Sequence, residues 1–311
     1  MNDSELPYIS VILTAYNRKD FLLNAIKSVI NQTLDKKYYE IILITNYQDT
    51  VNSFINEMKV NNILMDGTIG EFLYAGVKAS NGEILAFLDD DDLFTNDKLE
   101  IIYNKFKDNK NLCYYHNAHI SVNKKYRKLD NESGKDPSFN MSSISVRKSI
   151  LSLDNVKKIN YNQDHFMYLS ALESGQKIVK QKEKLTYYMI HNSASGVYTN
   201  DINEFIKRKT LMLEMDRNAY LMFCDMFISK KGMSFINGQI AYFEIAGYMY
   251  GNNIKPKNIW NIFKNKNRTF YSRLIAFLAY ILVRLHINFR DRLIEVLFNS
   301  NKKMNEKWHP D

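Results

Sequence analysis

The amino-acid sequence predicts an α/β protein, with a mainly parallel central sheet, flanking helices and a C-terminal helical region. Three observations predict it. Strand-type and helix-type apolar patterns alternate as far as Asn111. The apolar run Ile84–Leu88 ends in four consecutive aspartates, Asp89–Asp92. From about Asp201 the patterns are helical. Strands separated by helix-length segments need crossover connections, which is the sequence mark of parallel pairing.

The elements follow in order. Tyr8–Thr14 reads as a buried strand, and Lys19–Asn31 as a helix whose apolar face carries Phe21, Leu22, Ala25, Ile26 and Val29. Glu40–Thr45 is a second strand, followed by an amphipathic segment around Val51–Met58. Asn62–Met65 is a short third strand and Ile69–Ala79 a helix; the strand entering the aspartates comes next, then a helix over Asn96–Phe106. Past Asn111 the rhythm changes. Leu112–His116, Ile120–Val122 and Ser142–Val146 read as short strands, with a polar stretch at Asn123–Asp136. Tyr161–Gly175 is a loop entering a helix that Gly175 ends, and Ile178–Lys180 and Leu185–His191 are closing strands. The expected division is a catalytic-type domain over 1–198 and a helical region over 199–311.

Composition bounds the function classes. The chain has 311 residues, 45% of them hydrophobic, which is ample for a large core. Its net charge of +8 suits nucleic acid, an anionic membrane or phosphorylated substrates without choosing among them. Cys113 and Cys224 offer neither a disulfide framework nor a paired-cysteine metal site, and the N-terminal residues lack a secretory pattern. The expected compartment is the cytoplasm. No glycine-rich phosphate loop follows the first strand, and no GxxxxGK[ST] occurs. The basic residues are dispersed and match no nucleic-acid recognition motif.

The segment Arg268–Phe298 reads as one helix whose longest apolar run, Leu274–Val283, is too short to cross a bilayer. Arg273, Tyr280, Arg284, Asp291 and Glu295 share one stripe and leave a broad apolar face. Two readings stay open: a helix buried against the body of the protein or a partner subunit, and an interfacial helix peripheral on the cytoplasmic membrane face. Arg290, Arg292, Lys302 and Lys303 nearby support the second.

Four adjacent carboxylates repel one another, so such a run is either a solvated loop or half of a site completed by a cation. Mg2+ and Mn2+ take carboxylate oxygens together with substrate phosphates. Ligands of open α/β sheets bind beyond the carboxyl ends of the strands, which is where Asp89–Asp92 fall. The first strand empties into Thr14-Ala15-Tyr16-Asn17-Arg18. There Tyr16 can stack on a base, Asn17 can bond it or cap a helix, and Arg18 can meet a phosphate.

Together these segments resemble the family-2-type inverting glycosyltransferases of the GT-A fold, a Rossmann-like architecture. Ser10–Leu22 and Ser28–Thr33 resemble the family's opening strand and helix, and Gly82–Asp92 its strand bearing the DXD motif. The resemblance covers roughly residues 7–195. It implies a sugar transferred from a nucleotide-diphospho-sugar, a UDP-sugar by default, to a glycan or lipid-linked acceptor hydroxyl. It also implies a divalent metal, Mn2+ or Mg2+, held by Asp89 and Asp91, with Asp91 principal and Asp90 and Asp92 able to share the duty. Thr14, Ala15, Tyr16, Asn17, Arg18, Asp89 and Asp90 would line the donor. Asn162-Gln-Asp-His165 resembles the motif that supplies the general base, here Asp164; a helix-capping role is the alternative. His191 matches a position that completes the metal or diphosphate site, and is otherwise structural. His116, His119, Ser142 and Ser143 are weaker candidates for the sugar pocket. The acidic turn that many relatives carry after the second strand is replaced by Ile44–Asp49, leaving Asn46 at the likely base-contacting position and Asp49 displaced. Asp66-Gly67 either contacts the nucleoside or simply makes a turn. The rival reading is a non-catalytic nucleotide-sugar-binding or membrane-associated protein of the same fold.

Overall fold

A computed structural model describes residues 7–47, 60–129, 139–190, 199–251, 256–264, 270–285 and 287–308. The chain divides into two compact units, 1–189 and 190–311.

The first unit is built on one eight-stranded sheet. Its strands are β1 (Ile9–Ala15), β2 (Tyr39–Thr45), β3 (Asn61–Leu64), β4 (Ile84–Asp89), β5 (Leu93–Phe94), β6 (Leu112–Val122), β7 (Ile144–Arg147) and β8 (Lys177–Met189). They lie in the order β3-β2-β1-β4-β7-β6-β8-β5. β3, β2, β1 and β4 are mutually parallel, whereas β7 runs antiparallel to both β4 and β6. Nearly continuous apolar runs form β1, β2 and β4 because helices cover both faces of a parallel sheet.

Side-chain alternation sorts these strands onto two faces. Ile9, Val11, Leu13 and Ala15 pack with Ile84, Ala86 and Leu88 against α1 (Leu22–Ile30) and the later helix Lys98–Lys107. The other face carries Ile12 and Ile44, which receive α2 (Ile69–Ala79) so closely that a Cβ on Gly76 would come within 2.6 Å of Ile12. α2 begins with a capping box in which Thr68 and Glu71 satisfy each other's backbone N–H groups. The helix Lys98–Lys107 is α3, and α4 spans Leu153–Lys157. α5 spans Gln163–Ser174, entered through left-handed Asn162 and ended at left-handed Gly175.

Two expectations are corrected. The paired short strands expected over 112–122 and 178–191 are single long strands, β6 and β8, that pair in parallel with register shifts absorbing the irregular pattern. Met141–Ser143 is a 3-10 turn, so β7 begins at Ile144. The C-terminal segment carries helix on both sides of His286, which lies outside the described residues: α8 (Phe270–Leu285) and α9 (Ile287–Trp308). The segments Val51–Met58 and Asp130–Asp136 and the residues Asp49 and His191 lie outside the described residues.

The second unit consists of α6 (Ile202–Phe223), α7 (Lys230–Met249), a 3-10 stretch at Ile259–Lys264, α8 and α9. Asp201 and Ser229 cap α6 and α7. Tyr220 stacks on Phe235 and Phe243 to join α6 to α7, and Arg217 pairs with the buried Glu244 at 3.1 Å. A small apolar core of Ala241, Ile245, Ile262 and Tyr280 seats α8 on α7. Among the described residues no helix is long and apolar enough to cross a membrane.

Candidate active site

The ends of β1 and β4 meet because Thr14 stands opposite Asp89 in the parallel register. Strand parity turns both toward the α2 face. There Thr14, Tyr16, Arg18, Gly67, Thr68, Ile69, Phe72, Asp89 and Asp90 line a cavity of about 280 Å3. Tyr16 is half exposed and meets the Phe72 ring edge-on at 5.8 Å. That leaves an aromatic surface at the mouth, of the kind on which a base stacks. Ala15 has the opposite parity and is fully buried beneath.

The turn after β1 is shaped for its neighbours. Asn17 takes a left-handed conformation, which asparagine tolerates. Its backbone N–H donates to Asn46 Oδ1 at 3.0 Å, and Asn46 Nδ2 donates back to Asn17 Oδ1 at 2.8 Å. The Tyr47 hydroxyl donates to the Arg18 carbonyl. Asn46 therefore braces the turn and is not among the residues lining the cavity. Asp66 is exposed and accepts the Gly67 N–H at 2.9 Å, so it shapes its own turn while Gly67 borders the cavity.

The four aspartates occupy different surroundings. Arg18 forks across two of them, donating from Nη1 to Asp91 at 2.6 Å and from Nη2 to Asp90. Burial opposes the charge on Arg18, but Asp91 and Asp90 outweigh it and hold the guanidinium firmly protonated. Asp89 gives its backbone N–H to Ser142 Oγ at 3.0 Å. Burial, and after it the charges of Asp91 and Asp90, push its carboxyl up to about 8; Arg18 opposes this and Asp164 adds to it. Asp92 points inward, where Oδ1 accepts the Met189 N–H at 2.8 Å, and burial with the neighbouring carboxylates raises it well above its ordinary range.

Beneath the run lies Lys98, fully buried. Its Nζ donates to the Ser142 carbonyl and to Thr186 Oγ1 at 3.0 Å, over the face of Phe94. Burial pushes this amine well down, and Asp92 acts to hold its charge. Ser142 thus links Lys98 to the Asp89 backbone. Ser142 and Ser143 are both fully buried and do not border the cavity, and Ser142 supports the aspartate turn through its bond to Asp89. His116 is likewise buried within β6, beside Tyr114 and Phe139, and is no pocket residue. His119 stacks on Tyr188, and burial followed by the Lys184 charge lowers its pKa.

Asp164 sits in the first turn of α5, one residue beyond Gln163, which borders the same narrow crevice as Thr14, Asp89 and Met141. The N-cap position belongs to Asn162. Asp164 Oδ1 accepts the His165 N–H at 2.8 Å. Its charge reaches Asp89, Tyr114 and Tyr188. Asp164 therefore shares an electrostatic neighbourhood with the aspartate run despite the sequence separation.

Sequence reasoning passed over Thr68, Ile69, Phe72 and Lys98. The first three carry a signal in retrospect: Thr68 and Glu71 form a capping box that places a helix N-terminus at the cleft. Lys98 shares the inward stripe of α3 with Leu99, Ile102 and Phe106, a place where a lysine needs a partner.

A cavity at the carboxyl edge of a mainly parallel sheet, with carboxylates at its rim, stands where open α/β sheets bind their ligands. Residues 10–169 match the family described as "Glycosyl transferase family 2", and the chain belongs to that family. Its relatives include the poly(ribitol-phosphate) beta-N-acetylglucosaminyltransferase TarP of Staphylococcus aureus. The two are 27% identical over 227 residues, covering 70% of this chain and 63% of TarP, under two thirds of that protein. The Escherichia coli UDP-Glc:alpha-D-GlcNAc-diphosphoundecaprenol beta-1,3-glucosyltransferase WfaP is 26% identical, over 68% of this chain and 88% of WfaP. Among solved structures, the mannosyltransferase PcManGT from Pyrobaculum calidifontis, in complex with GDP-Man and Mn2+, aligns with a TM-score of 0.55 at 10% identity. That alignment covers 97% of this chain and 88% of the other. The fold is GT-A.

Proposed function

We propose that this chain transfers a hexose from a nucleotide-diphospho-sugar, by default a UDP-sugar, to an acceptor hydroxyl, with inversion at the anomeric carbon. The observation that carries this is one cleft flanked by Tyr16, Arg18 and Asp89, with the Asp164 carboxylate electrostatically adjacent. WfaP is named for a diphosphoundecaprenol-linked acceptor and TarP for a polymer of ribitol phosphate. Both names support a glycan or lipid-linked acceptor here, and peripheral contact of the 268–298 region with a membrane belongs to the same proposal.

The nucleobase stacks at Tyr16, and the N-terminus of α2, beside Ile69 in the cavity lining, turns its positive dipole end to the diphosphate. Among the described residues no three histidine, cysteine or acidic side chains converge as a metal cage. Mg2+ and Mn2+ do not require one, since they bind through one or two carboxylates and complete their shell with substrate phosphates. The hard oxygens of Asp89, which lines the cavity, and of Asp91, which shares Arg18 with the cavity-lining Asp90, fit that demand, and His191 is the proposed further ligand. When bound, the ion neutralises charge on the departing nucleoside diphosphate. Arg18, already paired to Asp90 and Asp91, holds these carboxylates in place and brings positive charge to the cavity. Asp164 takes the proton from the acceptor hydroxyl as that oxygen attacks the anomeric carbon from the side opposite the diphosphate. A single base with a departing diphosphate matches one direct displacement, hence inversion.

The test combines two substitutions. Asp91→Ala and Asp164→Asn should each lower transfer by about 100-fold or more, while Asp164→Asn should keep nucleoside-diphosphate binding in a thermal-shift titration. Full transfer in either variant overturns the assignment. Retention of the donor's anomeric configuration in the product overturns inversion. Donor binding with neither transfer nor donor hydrolysis selects the non-catalytic binding protein.

A further inference from the structure

The C-terminal unit presents a surface that the cleft does not explain. Tyr271, Ile275, Leu278, Leu282 and Leu285 recur along α8 at intervals of four, three, four and three residues, so they stand in one row along the helix. All five are exposed, Ile275 at 65% and Leu285 at 67%. The inward side of α8 is held by Tyr280 and Val283, with Arg273 donating to the Phe263 carbonyl. Tyr280 and Arg273 belong to the stripe that the sequence marks as polar. The inward side is thus mixed, Tyr280 and Arg273 alongside Val283, Ala276, Phe277 and Ile281, while Tyr271 and four aliphatic side chains face out. Trp260, 68% exposed, stacks on Phe277 at 5.0 Å, and Phe270 is exposed at the start of the helix.

We infer that this row is the surface by which the chain lies on an anionic lipid bilayer. It deepens the membrane part of the proposed function, and it stands on the C-terminal unit alone. A row of four aliphatic side chains and one tyrosine, on a helix whose longest apolar run, Leu274–Val283, is too short to cross a bilayer, suits a helix lying in the interface. Trp260 and Tyr271 are the aromatic types that settle at the headgroup level, and Phe270 adds apolar surface beside them. Charge points the same way. α8 contains no acidic residue. Between Phe270 and Lys303 six cations, Arg273, Arg284, Arg290, Arg292, Lys302 and Lys303, stand against Asp291 and Glu295. Basic residues beside an apolar helix face attract anionic headgroups. A second copy of the chain is the weaker occupant, because five side chains offer on the order of 500 Å2 and a stable pair needs about 800 Å2 per partner.

Flotation of the full chain with vesicles of phosphatidylcholine, with and without phosphatidylglycerol, tests this without donor or acceptor. Failure here is thus separable from failure of the transfer chemistry. The chain should float with the phosphatidylglycerol vesicles, and added salt should weaken it. Ile275→Ser with Leu282→Ser should cut the floated fraction about tenfold. Arg292→Glu with Lys302→Glu should remove the preference for anionic vesicles. All four positions are exposed, and a thermal melt with nucleoside diphosphate reports that each variant is folded. No flotation of the native chain, or equal flotation of the serine variant, overturns the inference. So does self-association in sedimentation velocity that the serine substitutions abolish while vesicles capture nothing.

Discussion

Arg18 governs the electrostatics of the cleft. It donates to both Asp90 and Asp91, and it is itself 41% exposed along its side chain. Replacing it by methionine leaves two nearly buried carboxylates without that partner. Arg18→Met should therefore lower stability by about 1–3 kcal/mol in urea titrations, and saturating Mn2+ should restore part of the loss. An Arg18→Met variant as stable as the native chain excludes this role. Asp89 gives a pH dependence of definite sign. Its folded-state pKa stands at about 8, above the ordinary 3.8. The protonated carboxyl thus favours the folded state, a contribution complete below about pH 4 and lost as the pH rises toward 8. Asp92 is shifted in the same direction. The metal-free melting temperature should fall between about pH 5 and pH 8.5, and the upshift caused by Mn2+ should grow over that interval, because the ion displaces a proton. An Mn2+ upshift independent of pH contradicts this.

Among the elements, α2 decides how wide the cleft stands. Its N-terminus lines the cavity, and Gly70 there lies against backbone: an added Cβ would come within 2.8 Å of the Lys157 carbonyl. Backbone yields little, so Gly70→Ala must push the helix away. The expected result is a stability loss of about 1–3 kcal/mol together with weaker nucleotide binding, both read from a thermal-shift titration. Unchanged binding would show that the cavity does not depend on this seat. The elements also show what was legible in advance. The boundaries of α2 were readable because apolar spacing and capping chemistry agree at Thr68–Ala79. β1, β2 and β4 were equally plain, as buried parallel strands are nearly unbroken apolar runs. β6 and β8 were not. Polar His116, Asn117 and Lys180–Lys184 interrupt their patterns, and only pairing between the two strands carries the backbone through. At the site, local motifs exposed Tyr16–Arg18 and Asp89–Asp92. The roles of Lys98, Ser142 and His116 depend on burial that no local window reveals.

At the scale of the whole molecule, the chain joins a GT-A unit to a helical unit, and each carries its own packing. Donor chemistry should therefore register in one of them. Hydrogen exchange with nucleoside diphosphate and Mn2+ should slow at residues 14–18, 67–72 and 89–92, and leave the amides of α6 and α7 unchanged. Slowed exchange confined to α6 and α7 would move the nucleotide site elsewhere. The reciprocal amide pair between Asn17 and Asn46 has a practical consequence for chimeras. The segment after β2 is where a foreign base-reading loop would be grafted, yet its first residue is stitched to the turn after β1. A transplanted loop that arrives without its own partner for position 17 leaves that turn unlatched, so donor-swapping libraries must recombine the two segments as one cassette.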